Sequence, residues 1–211
     1  GTGRAILRFM CSTINEYQGG DFTHLGEYVI YGDTDSCYFK LKSETEEECI
    51  EEADRVSEFV NAAFPKFMKD KFFVQDSHSS LIKASREYVA KTGIFVTPKK
   101  YALHVINDEG VDKDEISITG LDMIKTTLPK VYQDYTKGVL ERYMRGEDWM
   151  DIATDIVEFK KEIAETKDIS YLGLPSGINN IETYQRDFLN SGDPKFPLPG
   201  HVAASILYNL S

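Results

Sequence analysis

Cysteine and histidine are scarce in this 211-residue sequence: three cysteines, Cys11, Cys37 and Cys49, with no C-x-x-C pair, and four scattered histidines. An odd, unpaired set of thiols disfavours a disulfide framework, and the missing spacing disfavours a structural zinc site. The setting that fits is reducing and intracellular. No apolar run approaches the ~20 residues that span a bilayer. The N-terminus also lacks a basic-then-apolar signal pattern. The expectation is a soluble, cytoplasmic protein without a membrane partner. Internal repeats and low-complexity segments are missing too. Positive charge is in deficit: 24 Lys and Arg stand against 35 Asp and Glu, a net charge of -11, which taken globally argues against a polyanionic partner. That inference is weakened by where the acid sits. Much of it lies in one block, "SETEEECIEEAD" (Ser43 to Asp54), while lysines recur at Lys91, Lys99, Lys100, Lys125, Lys130 and Lys137. A local basic track survives the acidic total.

What is present is a globular composition, 41% hydrophobic, sufficient for one or two domains with a core. Ile6, Leu7, Met10, Ile14 and Tyr17 at helical spacing, ended by Gly19-Gly20, predict a helix over 4–18. "EYVIYGDTDSCYFKL" reads as strand, tight turn and strand. Ile50, Ala53, Val56, Val60, Ala63, Phe64 and Phe67 predict a long helix over 46–71, bent at Pro65 and preceded by a capping box from Ser43 to Glu46. From Leu81 to Thr119 the runs "REYVAK", "GIFVT", "KYALHVIN" and "EISITG" read as short strands that could extend the sheet of the first hairpin. Helical spacing returns with Val131, Tyr135, Val139, Leu140 and Tyr143 between Pro129 and Gly146, and continues over 147–166. Beyond Lys167 the chain is punctuated by Gly, Pro and Asn and ends on a short helix or strand, "HVAASILYNL". A domain boundary is expected between Asp148 and Lys167.

The hairpin bend sets two carboxylates, Asp33 and Asp35, two residues apart. Like charges there repel each other, and a divalent cation would reverse the sign of that interaction. Magnesium suits such a pair, because it takes hard oxygen ligands, keeps several waters and uses one or two protein carboxylates beside substrate phosphates. Gly-Asp-Thr-Asp is also ordinary turn composition, so the four letters alone leave both readings open. His104 alternates with apolar neighbours and reads as a packed or edge histidine rather than a base. Tyr132, Tyr135 and Tyr143 read as helix stripe, and Trp149 as packing at a junction between domains.

The flanks add a resemblance. "YGDTDS" between two apolar strands resembles motif C of the family B DNA polymerases, and "TPKKYALHV" resembles their Lys-Lys-Arg-Tyr segment. "SREYVAKTGIFVTPKKYALHV" resembles the palm strands of polymerases of T-even-like bacteriophages. "GLDMIKTTLPKV" is similar to the Gly-x-Glu segment before a Thr-Pro-initiated helix, and "GHVAASILYNL" to a thumb stretch of the same proteins. The matches run in consistent order over almost the whole chain. Departures are local: Pro98 stands at the family's first lysine, Lys100 at its arginine, and Ala203 at a usual arginine of the thumb.

The resemblance implies an α+β fold, a polymerase palm whose antiparallel sheet packs on helices (residues 1–150), followed by a mainly helical partial thumb (residues 151–211). It implies template-directed nucleotidyl transfer from a dNTP to a primer 3′-hydroxyl, with two Mg2+ ions in the complete enzyme. Asp35 is implied as the direct metal ligand, Asp33 as a supporting one, and Glu87 as a third acid. Lys99, Lys100, Tyr101 and Thr34 are implied as contacts to primer-template DNA, with strand alternation setting Lys99 and Tyr101 on one face and Lys100 on the other. The family's D-x-x-S-L-Y-P motif, its fingers helix and an exonuclease are not found in these residues. The expectation is therefore a fragment, inactive alone, that works with the remaining polymerase segment and a sliding clamp. Two other classes stay open: a non-catalytic DNA-binding or assembly module, and a D-x-D glycosyltransferase, which would need a Rossmann-like nucleotide site.

Overall fold

The computed structural model describes residues 1–125, 127–167, 169–174, 177–193 and 195–210, without the side chains of 169, 170 and 207–210. Thr126, Pro175, Ser176 and Pro194, which fall in or beside segments read above, and Tyr208 and Asn209 of the thumb-like stretch lie outside that description in whole or in side chain. The fold is mixed α+β, as expected.

Helix α1 (Thr2–Tyr17) forms where apolar residues recur every three to four positions, and its buried face meets α2 (Glu46–Phe72). Met10 and Ile14 of α1 close a cluster with Val56, Val60 and Phe64, and Phe9 stacks on Phe67 with ring centroids 3.9 Å apart. Each of these core side chains contributes about 2 kcal/mol relative to exposure. Helix α2 runs unbroken through Pro65. Its N-cap is Thr45, whose hydroxyl accepts from the Glu48 N–H at 3.2 Å, so the cap lies two residues later than the expected box at Ser43. Ser43 is engaged elsewhere, donating to Glu52 through its N–H at 2.9 Å and its hydroxyl at 2.7 Å.

The acidic block is thus not one solvated face. Glu52 is buried and also accepts from the Gln18 amide at 2.8 Å and the Lys42 N–H at 3.1 Å, while Glu46 pairs with Lys91 at 3.0 Å. Burial alone would raise the Glu52 pKa, but these donors outweigh it and hold the carboxyl below its ordinary range.

The hairpin, β1 (Val29–Asp33) and β2 (Ser36–Phe39), packs on α1 through Val29, Cys37 and Phe39. Its entry is pinned by buried Asn15. The side-chain oxygen accepts from the N–H groups of Tyr28 at 3.1 Å and Val29 at 3.2 Å, while the amide nitrogen donates to the Thr23 carbonyl at 2.6 Å. Gly26 makes this possible, since a Cβ there would lie 2.1 Å from Asn15 Nδ2.

Strands β3 (Tyr88–Thr97), β4 (Lys100–Asp108) and β5 (Val111–Thr119) form a second antiparallel sheet in the order β3-β4-β5. Two expectations are corrected here. The hairpin is a separate two-stranded sheet, joined to the larger one by side chains rather than by a backbone ladder. "REYVAK" and "GIFVT" are one strand: Thr92-Gly93 lies inside β3, and register irregularities between Val89 and Thr92 absorb the change of pattern. Both sheets are antiparallel, so the described residues contain no βαβ nucleotide site of the kind a D-x-D glycosyltransferase would need.

The larger sheet is covered on one side through Ala53 of α2 against Val89 and Ile106, and elsewhere by α3 (Lys130–Met144) through Met144 against Ala102 and Ile116. His104 is buried as expected, with Nε2 2.6 Å from Asp114. Helix α4 (Trp149–Glu165), capped by Asp148, packs on α3 through Tyr135 stacked on Phe159 at 3.6 Å and the ion pair of Arg142 with Asp155. Trp149 does not pack at a junction: it is 58% exposed and meets Tyr143 edge-on. Three further helices follow, α5 (Ile169–Leu172), α6 (Ile181–Ser191) and α7 (Gly200–Leu210), of which α5 and α6 were not foreseen. Among the described residues no helix is long and apolar enough to cross a membrane.

Candidate functional site

At the hairpin tip, Thr34 adopts a left-handed conformation with φ +56°, and the Asp35 N–H donates to the Asp33 carbonyl at 2.6 Å. This tight reversal turns two successive acids outward from β1 and β2. They end in different surroundings. The Asp33 carboxylate accepts from three groups: the Thr34 hydroxyl at 3.0 Å on Oδ1, and on Oδ2 the Lys99 ammonium at 2.7 Å and the Tyr31 hydroxyl at 3.4 Å. Lys99 first, then Thr34, holds the Asp33 carboxyl below the usual carboxylate range, and Asp33 in turn raises Lys99. Asp35 is exposed, and its carboxylate has no hydrogen-bond or ion-pair partner among the described residues.

Lys99 reaches this tip from the other sheet. It occupies the turn between β3 and β4 with φ +62°, rather than a strand position. The expected alternation therefore does not set its direction, which comes instead from the turn. The Lys99 N–H donates to the Tyr31 hydroxyl at 2.8 Å, and Gly120 presses on the same turn from the end of β5. A Cβ on Gly120, itself at φ +63°, would lie 2.1 Å from the Lys99 carbonyl oxygen. Tyr101 faces the hairpin as well. Its hydroxyl is 3.0 Å from that of Tyr38, and its ring joins Tyr31, Tyr38 and Phe95 in one aromatic wall with centroids 5.4–5.9 Å apart. Burial, and then the Tyr101 hydroxyl, raise the Tyr38 pKa, so the Tyr38 phenol stays protonated at neutral pH.

Lys100 points elsewhere, with Nζ 3.7 Å from Asp122, which also binds Lys125 at 2.5 Å. Asp33, Thr34, Asp35, Lys99 and Tyr101 are thus gathered at one tip, with Lys100 beside it. Glu87 is exposed just ahead of β3, and among the described residues no three His, Cys, Asp or Glu side chains form a group that could hold a metal ion. A third acid is not assembled with Asp33 and Asp35.

Two residues at or beside the tip escaped sequence reasoning. Tyr31 shares a strand face with Asp33 by the two-residue period, a signal visible in the sequence. Asp122 carried no signal, because its link to Lys100 and Lys125 depends on the turn after β5.

The donor set is chemically specific. Two hard carboxylates on one turn, one of them free, fit an ion of the magnesium type that fills its sphere with water and phosphate, and do not form a closed protein cage. In comparison with known families, the model of DNA polymerase family B matches residues 2–187. The curated proteins give no match.

Proposed function

The chain belongs to DNA polymerase family B, and from that premise we propose that its hairpin tip is the part of a DNA-directed DNA polymerase that meets the primer terminus. The supporting observation is the meeting, at one tip, of a free carboxylate, Asp35, with the Asp33–Lys99 ion pair. In this reading residues 1–150 are palm and 151–211 partial thumb, of the type found in T-even-like bacteriophages.

Asp35 and Asp33 would hold Mg2+, which when bound neutralises phosphate charge and acidifies the attacking hydroxyl. Asp35, exposed and unpartnered, offers its oxygens without first losing a protein hydrogen bond. Thr34 and Tyr31 fix the orientation of Asp33. Lys99 and Tyr101 face the duplex near its growing end and hold it by phosphate or minor-groove acceptors, which carry little sequence information and suit an enzyme that copies any template. Lys100, held off by Asp122, contributes one charge rather than a bidentate clasp. Asp35 is one of the two carboxylates that bridge the ion pair. The second bridging acid and the dNTP grip come from the remaining polymerase segment, and this chain alone is inactive. A sliding clamp would act on the assembled enzyme.

The test is primer extension in Mg2+ by the purified chain, with and without a separately expressed segment that supplies the D-x-x-S-L-Y-P aspartate and the fingers. Extension only in the mixture, lost with Asp35→Asn, supports the reading. Extension by the chain alone, or by a mixture carrying Asp35→Asn at the parent rate, refutes it. Stable duplex binding with no extension in any mixture would favour the non-catalytic module.

A further inference from the structure

The Lys99 ammonium is engaged by one carboxylate of the hairpin tip. In the free chain its ammonium sits 2.7 Å from Asp33 Oδ2, the same oxygen that accepts from Tyr31, while the other carboxylate oxygen accepts from Thr34. Asp33 is therefore filled by donors of its own chain, whereas Asp35 is free. The Lys99 side chain is 72% exposed, on a turn fixed at its N–H by Tyr31 and at its carbonyl by the close approach of Gly120. The backbone is held while the ammonium can swing.

We propose that Lys99 is a latch between the metal site and the duplex, so that a divalent cation at Asp33 and Asp35 and primer-template DNA at Lys99 bind with positive coupling. This rests on the function proposed above and adds its regulation. A cation on the Asp33 oxygens lies next to the ammonium, and the two like charges repel. The cation displaces Lys99, and the released ammonium is free to bind a phosphate or a minor-groove acceptor. In the other direction, duplex that draws Lys99 away uncovers Asp33 for the cation. Coupling of binding free energies is reciprocal, so each ligand must raise the affinity of the other by the same factor. Asp35 takes no part in the latch, because no ammonium rests on it.

The experiment measures primer-template affinity by fluorescence anisotropy at constant ionic strength, with and without saturating Ca2+, and Ca2+ affinity by calorimetry with and without duplex. For the parent we expect Ca2+ to tighten duplex at least about fivefold, and duplex to tighten Ca2+ equally, the lower end of typical couplings. Lys99→Met should bind Ca2+ more tightly than the parent, bind duplex more weakly, and show no coupling. Asp33→Asn should bind duplex more tightly than Asp35→Asn, although each removes one negative charge, because only the former frees Lys99. Circular dichroism and thermal melting confirm that each variant is folded. Coupling of the parent's size in Lys99→Met, or equal duplex affinity in the two asparagine variants, overturns the latch while leaving the function above intact. Parent-like duplex affinity in Lys99→Met would instead overturn the duplex-facing reading on which the latch rests.

Discussion

Replacing Glu52 by Gln should cost about 3 kcal/mol, although it sits in the middle of an acidic run and is sterically minor. Oε1 accepts from the Gln18 amide and the Lys42 N–H, and Oε2 from the N–H groups of Lys42 and Ser43 and the Ser43 hydroxyl. A glutamine turns one of those oxygens into a donor that faces donors. With the amide nitrogen at the Oε1 position one hydrogen bond to a charged acceptor is lost, at about 1.5–3 kcal/mol, and the bonds of Lys42 and Ser43 to the remaining oxygen weaken from charge-assisted to neutral. Relaxation of the 42–43 backbone toward water recovers part of this, which leaves about 3 kcal/mol. For a chain of this size that is a melting temperature roughly 6–12 °C lower. Glu47, exposed on the same helix, is the control, since its Gln variant should stay within about 0.5 kcal/mol of the parent. The pH dependence has a fixed sign. The folded Glu52 pKa lies below its unfolded value of about 4.3. Its stabilisation is therefore complete above that pH and is lost as pH falls through the folded value. The parent should lose its advantage over Glu52→Gln in acid. Thermal melts from pH 7 to pH 3 make the comparison, and equal melting temperatures for Glu52→Gln and Glu47→Gln at pH 7 would show that the buried carboxylate does not anchor the exit of β2 to α2.

Three further outcomes are expected. Gly120→Ala combines a left-handed backbone with a Cβ 2.1 Å from the Lys99 carbonyl, so it should cost about 2 kcal/mol or more; a melting temperature equal to the parent's would show that the two turns are not held together. Asp35→Ala removes an exposed acid with no partner and should leave thermal stability within about 0.5 kcal/mol; a large loss would make the carboxylate structural. Lys99→Ala should weaken all primer-templates alike and flatten the log-log dependence of affinity on salt by about 0.9 if one phosphate contact is lost, and an unchanged slope would remove Lys99 from the duplex.

The parts of this fold that repeat at helical or strand period were legible in the sequence, α1, α2, the hairpin and α3 among them, because a buried stripe needs apolar residues in register. Thr92-Gly93 misled because its composition marks a turn, whereas tertiary pairing with β4 carries the strand through it. The separation of the two sheets was hidden for a related reason: Tyr31 and Tyr38 would alternate in the same way whether the hairpin joined the larger sheet by hydrogen bonds or, as here, met Phe95 and Tyr101 by their rings. Helix α6 escaped notice because it buries no side chain and lies between glycine- and proline-rich segments. Glu52 was masked by its acidic neighbours, although it stands one turn ahead of buried Val56 on the same face. At the tip, Asp33 and Asp35 were readable from a local motif. The Asp33–Lys99 pair joins residues 66 apart in sequence, through a turn whose direction no local period encodes.

The central claim is that the Asp33–Asp35 tip is where metal and primer end meet. Its most direct measurement is paramagnetic broadening of backbone amide resonances by substoichiometric Mn2+ in the presence of primer-template and a non-hydrolysable dNTP. Loss of the signals of Thr34, Asp35 and Ser36 first, with Lys99 close behind, is the predicted result. Broadening that begins instead at the exposed acids Glu46 to Glu48, with the hairpin tip unaffected, would contradict it.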